Sequence, residues 1–186
     1  MELFPDLEIG WANGLLLLII FFGAYGVMLM FFPKEALARL YDRSAEIHRP
    51  PARRIFIVVL VLIWFIVMGL TPLKRGDAVF VIGVAIYALG LIGFLSALAT
   101  FRITPVAQPV TRGLYTISRH PQQMAVSVAF LGLSIAIGSC TALIVTLLGI
   151  LGAHGKILAE ESACLEQYGE SYRDYMERIP RYFLFF

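Results

Sequence analysis

The polar and apolar positions of this chain fall into long blocks rather than a fine alternation. Five blocks are apolar: about Trp11 to Phe32, Ile55 to Leu70, Ala78 to about Phe101, Gln122 to Ile137, and Cys140 to about Leu158. A helix needs roughly 20 apolar residues to cross a bilayer core. The expected fold class is therefore an all-α integral membrane protein with about five transmembrane helices. The second run is short for a span, and Trp64 in its middle is expected to lie against other helices rather than in an interfacial belt. The brief loop from Leu73 to Asp77 predicts that the second and third helices are antiparallel neighbours. Gly138-Ser139 predicts a turn that makes the fourth and fifth runs a C-terminal helical hairpin. Gly14, Gly23 and Gly26 in the first run, and Gly83, Gly90 and Gly93 in the third, would let a neighbouring helix approach closely.

The connectors carry shorter patterns. From Pro33 to Tyr41, Ala36, Leu37 and Leu40 recur at helical spacing, which predicts a short amphipathic helix at the membrane surface. His48-Arg49-Pro50-Pro51 breaks it, because proline removes a backbone donor and restricts the residue before it. Beyond the fifth run a helix through Glu160-Glu161 is expected to end near Tyr168-Gly169, where glycine suits a helix C-terminus. A second short helix follows from Ser171 to Ile179, with Tyr172, Tyr175, Met176 and Ile179 on one side.

Composition agrees with a bilayer setting: 59% of residues are hydrophobic and 15% charged. The aqueous segments are too short to build a core of their own, so residues 1–186 read as one membrane domain. A formal charge of +2, with no polybasic tail, excludes nucleic acid as a partner. The N-terminal segment is acidic, so the first apolar run is expected to be a retained helix rather than a cleaved signal. Cys140 and Cys164 fall in different aqueous regions, and no disulfide is expected between them. With the N-terminus outside, 13 of the 15 Lys and Arg face the cytosol and only Lys74 and Arg75 lie outside. Arg119-His120 and Glu160-Glu161 then share the cytosolic side, and the hairpin can bring them together.

Those two motifs hold the candidate chemistry. The segment from Gln108 to Pro121 is polar and turn-rich, and Pro121 suits the first position of the helix that follows. Arginine and histidine at a helix N-terminus make a site for a carboxylate or phosphate. The other reading is that Arg119 snorkels to lipid headgroups while His120 caps the helix. Glu160-Glu161 is either a solvated helix end or a partner for a cationic group such as an amine. Together, one anion-seeking and one cation-seeking patch suit a zwitterion such as an amino-acid moiety. No metal site is expected, since His48, His120 and His154 lack zinc-ligand spacing with the cysteines. Cys164 reads as packing rather than as a nucleophile.

The ordered set Gly113-Leu114-Tyr115, Ser118-Arg119-His120-Pro121, Glu160-Glu161, Tyr168-Gly169, Tyr172, Tyr175 and Ile179-Pro180-Arg181-Tyr182 resembles the isoprenylcysteine carboxyl methyltransferase and phospholipid methyltransferase superfamily. The resemblance covers roughly residues 108–186, which would form the cofactor-binding core after the membrane helices of residues 1–107. It implies an S-adenosylmethionine-dependent methyltransferase with a cytosolic cofactor pocket. By position, Arg119 and His120, with Pro121 behind them, would hold the methionine carboxylate or the adenosine part. Glu160 and Glu161 would bind the amino group or shape the pocket, and Tyr115, Tyr172 and Arg181 would line or close it. Gln123 stands where the superfamily commonly has tyrosine, and Lys156, near His154, stands where some relatives have arginine, so the resemblance implies Lys156, His154 and Glu161 as the catalytic candidates. Lysine lacks the arginine fork, so the acceptor is not assigned as a prenylcysteine.

Methyl transfer from a sulfonium is an in-line displacement that depends on alignment in a dry cavity. An amine acceptor would first lose a proton, with His120, His154 or Glu161 assisting, whereas a carboxylate or thiolate would not. A lipophilic acceptor would enter from the bilayer, and a small acceptor such as a thiol also fits this frame. Two rivals stand beside this reading. One is an NADPH-dependent oxidoreductase like the membrane sterol reductases, which have a similar C-terminal half. The other is a non-catalytic membrane scaffold.

Overall fold

The computed structural model describes residues 2–3, 6–10, 12–42 and 51–183. Among them there is no strand, only seven α-helices and one 3-10 turn, Gly113–Thr116. The helices are α1 (Gly14–Met30), α2 (Lys34–Leu40), α3 (Pro51–Leu70), α4 (Ala78–Ile103), α5 (Pro121–Ala136), α6 (Cys140–Tyr168) and α7 (Glu170–Arg178). By length and composition, α4 and α6 are able to cross a membrane, while α1, α5 and the Ile57–Leu70 part of α3 are shorter apolar helices. Trp11, where the first run was expected to begin, and the break at residues 48–50 lie outside the described residues, as does Arg43.

The pair α4 and α5 forms the closest seam of the fold. A Cβ added at Gly83 would stand 2.3 Å from the Ala136 nitrogen, and one at Gly90 would stand 2.3 Å from the Ala129 nitrogen. From the α5 side, a Cβ at Gly132 would stand 2.2 Å from the Tyr87 nitrogen. The two backbones therefore touch where neither side supplies a side chain, which is how small residues let membrane helices pack. Gly83 and Gly90 behave as the sequence predicts. Gly14 does too, since its Cβ would meet the Met68 carbonyl at 2.1 Å, but Gly23 and Gly26 face open space with nothing within 4 Å.

Because α5 fills the glycine face of α4, α3 packs on α1 and α6 instead of becoming the main neighbour of α4. The short Leu73 to Asp77 loop thus joins consecutive helices that do not form the expected packed pair. Trp64 is buried as expected, with its ring 4.8 Å from that of Phe130 and its Nε1–H donated to Thr146 Oγ1 at 2.8 Å. Helix α3 begins at Pro51, four residues before the apolar run, since proline at the first helical position has no N–H to satisfy.

The turn between α5 and α6 is the predicted one. Gly138 has φ +65°, and Ser139 caps α6 by accepting from the Ala142 N–H at 3.1 Å. At 1.5 Å per residue α6 is about 43 Å long, against a hydrocarbon core of about 30 Å. Its apolar part runs to about Leu158, so the last turns, carrying Glu160 and Glu161, project beyond any span. The helix ends at Tyr168, and Gly169 turns the chain at φ +56° into α7. Tyr172 and Tyr175 of α7 are buried against Tyr115, Val110 and Ala97, a second small core beneath the end of the bundle.

Candidate functional site

Three segments meet where α5 begins: residues 118–120, the projecting end of α6, and the strap after α7. Pro121 is the first residue of α5 and His120 its N-cap, as the sequence predicts, although the imidazole makes no capping bond. The strap is held by backbone pairing. The Arg119 N–H donates to the Pro180 carbonyl at 3.0 Å, and Ser118 Oγ donates to the Arg181 carbonyl at 2.8 Å. The same Ser118 oxygen accepts from the His120 N–H at 3.2 Å.

Glu161 is the centre of the cluster. Its side chain and that of Arg119 are each only 4% exposed, and Arg119 Nε lies 2.9 Å from Glu161 Oε1. His120 Nε2 also reaches Oε1, at 3.2 Å. Arg181 places both Nε, at 3.0 Å, and Nη2, at 2.7 Å, on the other oxygen, Oε2. A carboxylate can only accept, so Nε2 is the protonated nitrogen in this contact. Nδ1 faces Glu160 Oε2 at 3.7 Å.

Burial by itself would raise the Glu161 carboxyl, but hydrogen bonds from His120 and Arg181 and the charge of Arg119 outweigh it and hold the group at about 2. The same contact with Glu161 raises the Arg181 guanidinium above its ordinary value. Tyr115, Tyr172 and Tyr175 are all pushed up by burial and stay neutral. Burial likewise raises the Cys164 thiol, which argues against a thiolate nucleophile there.

One donor in this cluster is unsatisfied. Arg119 Nη1 donates to the Met176 carbonyl at 2.8 Å. Arg119 Nε, although within ion-pair distance of Glu161, is out of line for a hydrogen bond and has no acceptor. A buried guanidinium N–H without an acceptor is costly in a resting protein.

The sequence-derived residues divide accordingly. Arg119, His120, Pro121, Glu161 and Arg181 come together, with Glu160 at the outer edge, 43% exposed. Tyr115 and Tyr172 lie in the small core below. Tyr115 Oη accepts from Gln122 Nε2 at 2.8 Å, and its carbonyl accepts from Tyr175 Oη at 2.7 Å. Lys156 points outward at 68% exposure and reaches the cluster only through Glu160, at 3.3 Å. His154 pairs with Tyr182 Oη at 2.6 Å. Of Lys156, His154 and Glu161, the candidate catalytic residues from sequence, only Glu161 is in the buried centre. Ser118 and Gln122 were not assigned roles from sequence. Ser118, directly before the Arg-His pair, carried a signal in its position, whereas Gln122 carried none.

Among the described residues, no group of three or more His, Cys, Asp and Glu side chains is placed to hold a metal ion. No curated protein matches the chain. The family model described as phospholipid methyltransferase matches residues 77–171, from the start of α4 into the first turn of α7 and just over half of the sequence. The segments that build the Arg119–Glu161 contact all lie inside that match, and the chain belongs to the phospholipid methyltransferase family.

Proposed function

We propose that the protein is an integral membrane methyltransferase that uses S-adenosylmethionine to methylate a lipophilic or small acceptor. The observation that carries this reading is the buried Arg119 Nε–H without an acceptor, in a chain of this family. The residues fit the amino-acid end of such a cofactor by their chemistry. Arg119 Nε–H offers a donor for a carboxylate. Glu160, half exposed and held only by Lys156 and the His120 edge, is the acid left to take an ammonium. Glu161 already contacts Arg119, His120 and Arg181 and acts by positioning them.

When bound, the cofactor supplies an electrophilic methyl group on a sulfonium. The chain's own part is alignment, exclusion of water and proton movement. Arg181 and the strap cover the cluster from the aqueous side. His120 Nδ1 is the ring atom placed to accept a proton from an amine, while Nε2 stays on Glu161. His154, paired with Tyr182, offers a second basic nitrogen at the rim.

The reading includes a topology of five crossings, with the N-terminus outside and the cluster in the cytosol, resting on the distribution of Lys and Arg. One observation favours a rival. Glu161 is fully satisfied within the protein, as it would be in a non-catalytic scaffold where the cluster only locks α5, α6 and the strap together.

A thermal-shift titration of detergent-purified protein with S-adenosylmethionine, S-adenosylhomocysteine and NADPH separates these, because a ligand that binds only the folded state raises its apparent stability. Stabilisation by the first two and not by NADPH is the expected result. Stabilisation by NADPH alone would instead make the protein a reductase, and no response to any of the three would leave the scaffold.

A further inference from the structure

We infer that residues 180–183, the strap after α7, form a gate over the Arg119–Glu161 cluster, hinged at Ile179-Pro180 and latched by Tyr182 on His154. The inference rests on the reading above only for the ligand that the gate would admit. Arg119 Nε is sealed from solvent and has no acceptor. Any group that takes up this donor has to pass a wall of the cluster. The walls are the start of α5, the end of α6, α7 and the strap.

These walls are not held alike. Helix α7 is fixed by Tyr172 and Tyr175, both buried, and by the bond from Tyr175 Oη to the Tyr115 carbonyl at 2.7 Å. Ile179, just past that helix, still packs against the same small core. Beyond it, Pro180, Arg181 and Tyr182 are half-buried and Phe183 is exposed, so no buried side chain anchors the strap. Polar contacts hold it instead. The Arg119 N–H is on the Pro180 carbonyl, Ser118 Oγ on the Arg181 carbonyl, Arg181 on Glu161, and Tyr182 Oη on His154 Nδ1 at 2.6 Å. Buried aromatic side chains hold an element more firmly than such bonds do, so the strap is the wall that moves.

The hinge follows from the sequence. Proline disfavours the helical conformation for the residue before it, and Ile179 is extended, with φ −118° and ψ 128°. Helix α7 therefore ends there, and the strap leaves it as a separate arm. The latch lies at the far end of that arm. His154 and Glu161 stand seven residues apart in α6, so they share a face, about 10 Å apart along the axis. The strap lies along this face, with Arg181 on the buried acid and Tyr182 on the exposed histidine. Water reaches the Tyr182–His154 pair and can replace either partner, so opening starts there. Opening withdraws Arg181 from Glu161 Oε2 and uncovers Arg119. Tyr182 is thus a positioning residue that acts on the cluster through Arg181.

The Arg119 N–H reports on the gate, because its acceptor is the Pro180 carbonyl. Hydrogen–deuterium exchange of the full chain in detergent, resolved to single amides, tests the proposal first without ligand. Tyr182→Phe keeps the ring and removes the latch hydroxyl. It should speed exchange at Arg119 about fivefold, the scale of one hydrogen bond, and leave the Tyr175 amide inside α7 unchanged. His154→Ala, which removes the other partner, should do the same. A contact that only stabilises the fold would speed both amides together, and an idle one would speed neither. Either result would overturn the gate. S-adenosylhomocysteine then tests whether the gate lies over the ligand. Where it stabilises the protein, it should also slow the Arg119 amide about tenfold, and stabilisation without slowing would overturn the proposal. If it gives no stabilisation, the methyltransferase reading falls, while exchange in the ligand-free protein still decides the gate.

Discussion

At the scale of single residues, Glu161 differs from the acids around it because two guanidinium groups and the His120 imidazole converge on one buried carboxylate. Replacing it by glutamine removes the charge and leaves Arg119 buried without its counter-charge. Breaking a buried pair from one side costs about 3–5 kcal/mol, whereas an exposed pair such as Lys156–Glu160 contributes at most about 1 kcal/mol. Glu161→Gln should therefore unfold many degrees below wild type in detergent, and Lys156→Ala should stay within a degree or two of it. Acid sharpens the test. A carboxyl held at about 2 in the folded state adds stability above its unfolded value of about 4.3 and loses it as pH falls toward 2. The gap between wild type and Glu161→Gln should close over that window, and a gap unchanged from pH 6 to pH 2 would mean that Glu161 is not the anchor. The meeting of His120 with Glu161 was legible in the sequence, because a hairpin with a two-residue turn returns α6 beside the start of α5. The saturation of Glu161 was not, because no periodicity reveals how residues 180–181 fold back onto residues 118–119.

At the scale of elements, the seam between α4 and α5 makes predictions that the cluster does not. Gly90→Leu would drive a side chain into the Ala129 backbone and should prevent α4 and α5 from closing. Gly23→Ala, in open space within α1, should be neutral or gain up to about 1 kcal/mol from helix propensity. Thermal unfolding of both variants in detergent checks the pair, and equal behaviour would show that the seam is not packed as described. The sequence exposed only half of this contact. Gly83 and Gly90 stand seven residues apart in α4, which marks one face, but nothing in the first run separates Gly14, which packs, from Gly23 and Gly26, which do not. The distinction comes from the partner stripe Ala125, Ala129, Gly132 and Ala136 in α5, which lies at helical spacing opposite the α4 glycines. The same pairing displaced α3 from α4, an outcome that loop length could not foretell. Helix α7 was nearly complete in the pattern, because Tyr172 and Tyr175 lie on one face and both are buried.

For the whole molecule, charge and fold separate the two ends of the bundle. At one end, the Glu2 N–H donates to the Gly138 carbonyl, the Cys140 N–H donates to the Glu2 carbonyl, and Lys74 pairs with Glu2. At the other end lie the start of α5, the end of α6, α7 and the strap, with the Arg119–Glu161 cluster among them. The family match spans α4 through the first turn of α7, so the seam and the cluster belong to the shared part, while the strap residues Pro180 and Arg181 lie beyond it. The proposed topology puts the two ends in different compartments, which can be measured without reference to any activity. In a background with Cys140 and Cys164 replaced by serine, single cysteines at Lys74 and at Glu166, both on the aqueous ends of their elements, serve as reporters. A membrane-impermeant maleimide applied to intact cells should label Lys74→Cys and spare Glu166→Cys. With inverted vesicles the pattern should reverse. Both sites labelled from one side would remove the odd number of crossings between Lys74 and Glu166. The reversed pattern would instead keep the crossings, place the cluster outside, and require the proposed cofactor to come from a compartment other than the cytosol.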